Sequence, residues 1–392
     1  MLFIIKKDSR PDYGKHDFQI HASRFMHYSL SDIFIGLASA PAGAYPQRSE
    51  GSSDRDPMVL PDLKPEQFRN FLYLFYGNPS ETKFEKLMRG EEIDSAWTTW
   101  KYYIDIAIIS HYLGMNSTQT WALERLKLML DHRIFSFPSD TTADLLDALR
   151  YVKLMDDDIL ENNIRSLLGI QLLYTFSSRP DVLYMGPSGH VPPSQPNPNP
   201  PNSRSFVDTL YRGPTLRLGD RFLFGQILCI ILQTGRRSPL WTKELTRDER
   251  ATLAAVQVGL TPLPKPLDCS WLNFFTQRDE TSNVPCSDTC ETILQLAKDY
   301  IFTEEAHEQF QLDSPLGGID ALCNLLIRRG YFFAITTKPR PITGLEGEHV
   351  ICTKCRAHYL KKLDSEMNQV FSKLVDLFEQ VERDGYVGES FG

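Results

Sequence analysis

Cys352-Thr353-Lys354-Cys355 is the segment whose residue types and spacing point most directly to chemistry. Two thiols three positions apart, just before a helix, turn both sulfurs toward one point, which is half of a tetrahedral zinc site. His349 and His358 flank the pair, and Cys286 and Cys290, at a looser spacing, are the thiols that would complete four ligands. Cys352 and Cys355 are therefore the candidate metal ligands; no cofactor is expected, with structural zinc at this pair as the alternative. The plainer account is two small, half-buried thiols ahead of a long helix. The chain holds seven cysteines, an odd number and too sparse for a disulfide framework, so reduced thiols and an intracellular setting are expected, cytoplasm or nucleus undecided.

Other chemistry-bearing patterns are weaker. Asp157-Asp158-Ile159-Leu160-Glu161 resembles the aspartate-rich metal motif of terpene synthases, and Asn116, Thr120 and Glu124 match their second motif in spacing. That resemblance implies Mg²⁺ ions held between the motifs to draw off a diphosphate, as the alternative from the enzyme class. The motifs stand in reversed order, and carboxylates at a helix start are better accounted for by capping and the helix dipole. Gly186-Pro187-Ser188-Gly189-His190 sets a serine near a histidine, but within a proline-rich stretch that lacks the rigid turn a nucleophile needs. No Gly-rich phosphate loop is present in the sequence. No catalytic residue is assigned, and the chain is expected not to be an enzyme.

Composition sets the frame for these residues. The chain has 392 residues, 42% of them hydrophobic and 23% charged, an ordinary globular balance. The net charge of −8 disfavours nucleic acid as a partner, because phosphate contacts need excess Lys and Arg. The start, Met1 to Lys7, has too short an apolar run for a secretory signal. The longest apolar stretch, Phe222 to Leu232, is broken by Gly225 and Gln226 and is too short to span a bilayer, so no membrane association is expected.

The elements that must position these residues are mixed at the N-terminus and helical thereafter. Short strands are expected at Leu2 to Lys6, Asp17 to Ile20 and Pro57 to Leu63, with a helix from about Ala22 to Leu37. Pro65 opens a helix to Tyr76, with Phe68, Phe71, Leu72 and Phe75 on one face. Trp100, Tyr103, Ile104, Ala107 and His111 recur at helical spacing up to Gly114, and Leu123, Leu126 and Leu130 do so in the next helix. Helices follow at about Ser139 to Leu154 and Asp157 to Tyr174. Eight prolines between Pro180 and Pro201 mark a linker or mobile loop. Beyond it, helices are expected at Arg217 to Gln233, Thr246 to Val258, Cys290 to Phe302 and Ile319 to Arg329, with a strand at Gly330 to Thr336. The terminal helix carries Leu360, Leu363, Met367, Val370, Leu374, Leu377 and Val381 in a heptad-like pattern. Phe371 and Phe378 widen that face, which favours packing on the chain's own core over a coiled-coil dimer.

The N-terminal pattern resembles a known family. Asp17-Phe18-Gln19-Ile20-His21, followed by Phe25 and Ser29, is similar to the early strand and first helix of BTB/POZ domains, and Asp32-Ile33-Phe34 to that helix's end. Glu50 to Asp54, Pro57 to Leu60, Phe68 to Tyr76, Trp100 to Leu113 and Trp121 to Leu126 are similar to fungal BTB/POZ proteins, so the resemblance covers about Met1 to His132. It implies an α+β fold: a BTB/POZ-like domain over residues 1–135, a small sheet covered by helices. A helical extension (136–178), a proline-rich linker (179–213) and a mainly α-helical C-terminal domain (214–392) complete the expectation. The resemblance implies a non-enzymatic protein–protein interaction module or scaffold, with the strand Leu2 to Ile5 and the helix carrying Phe25 and Phe34 as contact elements. It also implies, as alternatives, a homodimer and a substrate adaptor of a cullin-type ubiquitin ligase.

Overall fold

A computed structural model describes residues 2–5, 16–19, 58–60, 63–133, 142–155, 157–176, 203–260, 290–294, 317–337, 340–341, 348–349 and 351–384. The chain divides into two compact units, Met1–Ser136 and Phe137–Gly392.

In the first unit, strands β1 (Leu2–Ile5), β2 (His16–Gln19) and β3 (Met58–Leu60) pair in the order β2–β1–β3, the first pairing antiparallel and the second parallel. Four helices follow: α1 (Pro65–Tyr76), α2 (Thr82–Arg89), α3 (Ala96–Tyr112) and α4 (Asn116–Arg133). Pro65 sits in the first turn of α1, where no helical donor is lost, and Gln67 Oε1 accepts from the Lys64 N–H at 3.0 Å. Phe68, Phe71 and Phe75 are buried along one face, while Leu72 is half-buried beside them. Ser95 caps α3, its side chain accepting from the Thr98 N–H at 3.1 Å. Gly114, at φ +67°, ends the turn after α3 in a backbone region that favours glycine. Trp100, Tyr103, Ile104 and Ala107 are buried as expected, whereas His111 is exposed and lies 3.2 Å from the Gln119 amide.

The expectation of an α+β fold, a BTB/POZ-like sheet covered by helices, is corrected. Helix dominates the described residues, and strand is confined to pieces of two to four residues. Among those residues, α1, α3 and α4 pack chiefly on one another and the strands chiefly on one another. The physical reason is periodicity: from Phe68 onward the large apolar residues recur every three or four positions, which buries them between helices and not on a sheet. Strands this short present too little apolar surface to organise a core. The expected helix at 22–37 lies outside the described residues.

The second unit contains α5 (Thr142–Lys153), α6 (Asp158–Phe176), α7 (Ser203–Phe206, continued by a π-helical turn Val207–Tyr211), α8 (Pro214–Gly219), α9 (Arg221–Thr234), α10 (Arg247–Gly259), α11 (Gly317–Thr337) and α12 (Thr353–Asp384). A two-residue ladder, β4 (Arg340–Pro341) with β5 (Glu348–His349), precedes α12. The apolar run Phe222 to Leu232 becomes the central helix: α9 is buried from Phe222 to Thr234 and packs on α6, α11 and α12. Among the described residues, no helix is long and apolar enough to cross a membrane. The wide face of α12, including Phe371 and Phe378, is buried within this unit. Gly225 marks a close crossing of α9 and α12, since a Cβ there would run into the Phe371 carbonyl oxygen.

Three further expectations are corrected here. The helix expected over Arg217 to Gln233 breaks at Asp220, whose carboxylate caps α9 by accepting from the Leu223 N–H at 3.0 Å. Residues 203–213, assigned to the linker, include α7 and its π-helical turn, because Phe206, Val207, Leu210 and Tyr211 are buried. The strand expected at Gly330 to Thr336 is helix, continuing the apolar spacing of Ile319, Leu322 and Leu326 through Phe333. There Phe and Ile follow the helix already nucleated upstream, so packing overrides their strand preference. The stretch from Pro180 to Pro201 lies outside the described residues.

Candidate functional site

Cys352 and Cys355 meet a third thiol. The Sγ atoms of Cys290, Cys352 and Cys355 lie within 4.8 Å of one another. Cys352 is the residue before α12, and its carbonyl accepts the first helical bond, from Arg356 N–H at 3.0 Å. Its sulfur caps the helix by accepting from the Cys355 N–H at 3.4 Å, and the Cys352 N–H in turn donates to Cys290 Sγ at 3.3 Å. Cys355 and Cys290 are 2% and 3% exposed, while Cys352 faces solvent, so the cluster is walled on one side and open on the other. The cluster thus lies at the N-terminus of a 32-residue helix, whose unsatisfied N–H groups favour negative charge.

His358 lies on α12 with its ring edge-on to Tyr359 and does not join the sulfurs. His349 closes β5, its side chain outside the described set, and Cys286 is likewise outside it. Sequence spacing set Cys352 beside Cys355. Cys290, 62 positions before Cys352, is one of several candidates in the sequence, and the Cys352 N–H donated to its sulfur selects it.

A second sulfur pair makes a useful contrast. Cys229 on α9 and Cys323 on α11 lie 3.2 Å apart, both fully buried in the apolar core. Burial pushes the Cys323 thiol well above its ordinary range, so Cys323 stays a neutral thiol in that core.

The acidic motif has structural work. Asp157 Oδ1 caps α6 by accepting from the Leu160 N–H at 3.1 Å, Asp158 meets Lys361 at 3.3 Å, and Glu161 pairs with Arg165. Arg165 also reaches Asp220 at 2.9 Å, tying α6 to the start of α9. Asn116, Thr120 and Glu124 belong to the other unit. Gly186 to His190 lie outside the described residues, and so do Phe25 and Phe34.

One surface feature was not read from the sequence. Where α1 meets α2, Arg69, Leu72, Tyr73, Tyr76, Gly77, Asn78 and Glu81 line an open groove of about 390 Å³. Tyr73 is fixed in it: its hydroxyl donates to Glu81 Oε2 at 3.1 Å, and its ring meets Phe84 at 6.0 Å and Tyr102 at 5.8 Å between centroids. Lys83 Nζ lies 5.6 Å from the Tyr73 centroid and 5.2 Å from that of Tyr102. Burial, then the hydrogen bond to Glu81, raises the Tyr73 phenol to about 12, so it stays a neutral donor. Gly77 is required beside it, because a Cβ would strike Phe84. The available signal was the pair Tyr73 and Tyr76, three apart, next to the helix-ending Gly77-Asn78-Pro79.

Comparisons with family models, with curated proteins and with solved structures returned no match to this chain.

Proposed function

We propose that the chain is a non-catalytic docking protein, and that its first unit grips a protein partner through the Tyr73–Tyr76 groove. The supporting observation is the fixed aromatic side of that groove. Tyr73 is held in place by Glu81, Phe84 and Tyr102, so it loses little freedom when a partner arrives. Tyrosine and arginine carry a large share of binding energy at protein interfaces, because they offer wide contact area together with hydrogen-bonding ends. Leu72 and Tyr76 contribute apolar lining, and Arg69, Asn78 and Glu81 polar lining with both signs of charge. The occupant is a protein segment that seats one apolar side chain between polar neighbours. The net charge of −8 argues against a polyanion in that role.

The test is a two-stage measurement on the full chain. Partners are identified by proximity labelling in the native cell, and the affinity of the purified partner is then compared for wild type, Tyr76→Ala and Arg69→Ala. Tyr76 is 38% exposed, so its truncation is expected to cost the fold little, which circular dichroism of the variant checks. Loss of an interface anchor weakens binding by about tenfold or more. A partner bound with unchanged affinity by both variants refutes the assignment of the groove.

A further inference from the structure

We propose that Cys290, Cys352 and Cys355 are ligands of a structural zinc ion that clasps the helical turn at 290–294 to the N-terminus of α12. This does not depend on the docking reading. Sulfurs around a tetrahedral zinc, each about 2.3 Å from the metal, stand roughly 3.7 Å apart. Three sulfurs already within 4.8 Å of one another need only a small inward rotation about their Cα–Cβ bonds to reach that spacing.

Three features separate this cluster from a chance gathering of thiols. The two N–H···S contacts, from Cys352 to Cys290 and from Cys355 to Cys352, are the kind of outer-shell donation that stabilises metal-bound thiolates. The α12 N-terminus supplies positive potential where three thiolates would concentrate negative charge. Two ligands are walled off while Cys352 faces solvent, which gives the ion an entry path. Among the described residues, the Cys229–Cys323 pair has none of these: it lies in apolar surroundings that hold Cys323 neutral. Binding releases the thiol protons to solvent and forms Zn–S bonds, with no change of oxidation state. Soft thiolate donors select zinc over magnesium or calcium. Three sulfurs leave the fourth corner of the tetrahedron to water or one further donor.

The clasp has a mechanical consequence. Cys290 stands 62 residues before Cys352, so the ion would close a long loop and define where α12 begins.

The experiment uses the full chain, with any affinity tag removed, purified without chelator. Elemental analysis is expected to give about one zinc per chain. Cys290→Ser, Cys352→Ser and Cys355→Ser are each expected to lose most of it, while Cys229→Ala retains it. Should the serine variants fold poorly, wild type stripped with chelator and reloaded with Co²⁺ provides the second readout. A thiolate-to-cobalt charge-transfer band with intense visible absorption marks tetrahedral sulfur ligation, and the melting temperature is expected to rise on reloading. Zinc well below one per chain in folded wild type, with no cobalt–thiolate band, overturns the proposal. So does zinc retained by the triple serine variant, or a disulfide found among these three cysteines in protein kept under reducing conditions.

Discussion

Arg329 and Asp364 offer the sharpest test of how the second unit is held together. Arg329 on α11 is completely buried and Asp364 on α12 is 5% exposed. Two parallel hydrogen bonds of 2.9 Å, from Arg329 Nε and Nη2 to the two carboxylate oxygens, join them. The guanidinium also rests 5.6 Å from the Phe333 centroid, and among the described residues its Nη1 has no hydrogen-bond partner. Its charge therefore depends on Asp364. Asp364→Ala leaves a buried cation without its counter-charge, which costs about 3–5 kcal/mol. For a unit of this size, roughly 2–4 °C per kcal/mol converts that to a drop of about 6–20 °C in melting temperature. Arg329→Met is expected to be similarly harmful, since it strands a buried carboxylate. The double variant Arg329→Met/Asp364→Leu removes both charges and fills the space, so it is expected to recover most of the loss. Thermal unfolding of the four proteins, followed by circular dichroism, is the assay. A single variant within about 2 °C of wild type, or a double variant as unstable as the two singles combined, would refute the reasoning.

Two further outcomes follow from the packing. Gly225→Ala drives a methyl into the Phe371 carbonyl, so α9 and α12 must part. A cost of about 1–3 kcal/mol is expected, read as a lower urea midpoint, and an unchanged midpoint would contradict the close crossing. Burial raises the Tyr103 phenol to about 12, against about 10 in the unfolded chain. Below pH 10 both states keep the proton and stability is unaffected. Between pH 10 and 12 the unfolded state ionises first, so stability of the first unit falls as pH rises. Tyr103→Phe, which loses the hydroxyl's donation to the Leu87 carbonyl, should flatten part of that alkaline slope, and a slope identical to wild type would count against it.

Where a helix forms was largely legible in the residues. Pro65, Ser95, Gly114 and Thr246 mark ends by local chemistry: a missing donor, a side-chain cap, a positive φ, a capping box. The apolar face of α12 is broad enough in the sequence to announce a packed helix, and it is buried as such. Errors arose where local preference and packing disagree. Gly330 to Thr336 is rich in residues that suit a strand, yet it extends a helix whose upstream turns are already in the core. The α+β expectation came with the BTB/POZ resemblance, whereas the aromatics from Phe68 onward recur at helical spacing and the strands of the first unit are only three or four residues long.

Periodicity and capping are properties of neighbours along the chain, so the sequence alone determined most helical segments, the apolar faces of α1, α9 and α12, and the pairing of Cys352 with Cys355. Convergence is a property of distant segments, and only tertiary structure decided it. Arg329 finds Asp364 across 35 positions, Cys290 finds Cys352 across 62, and Tyr73 becomes one wall of a groove because α2 and α3 pack beside it. The physical reason is that backbone geometry sets spacing over three or four residues, whereas which faces meet depends on the total apolar surface each arrangement buries.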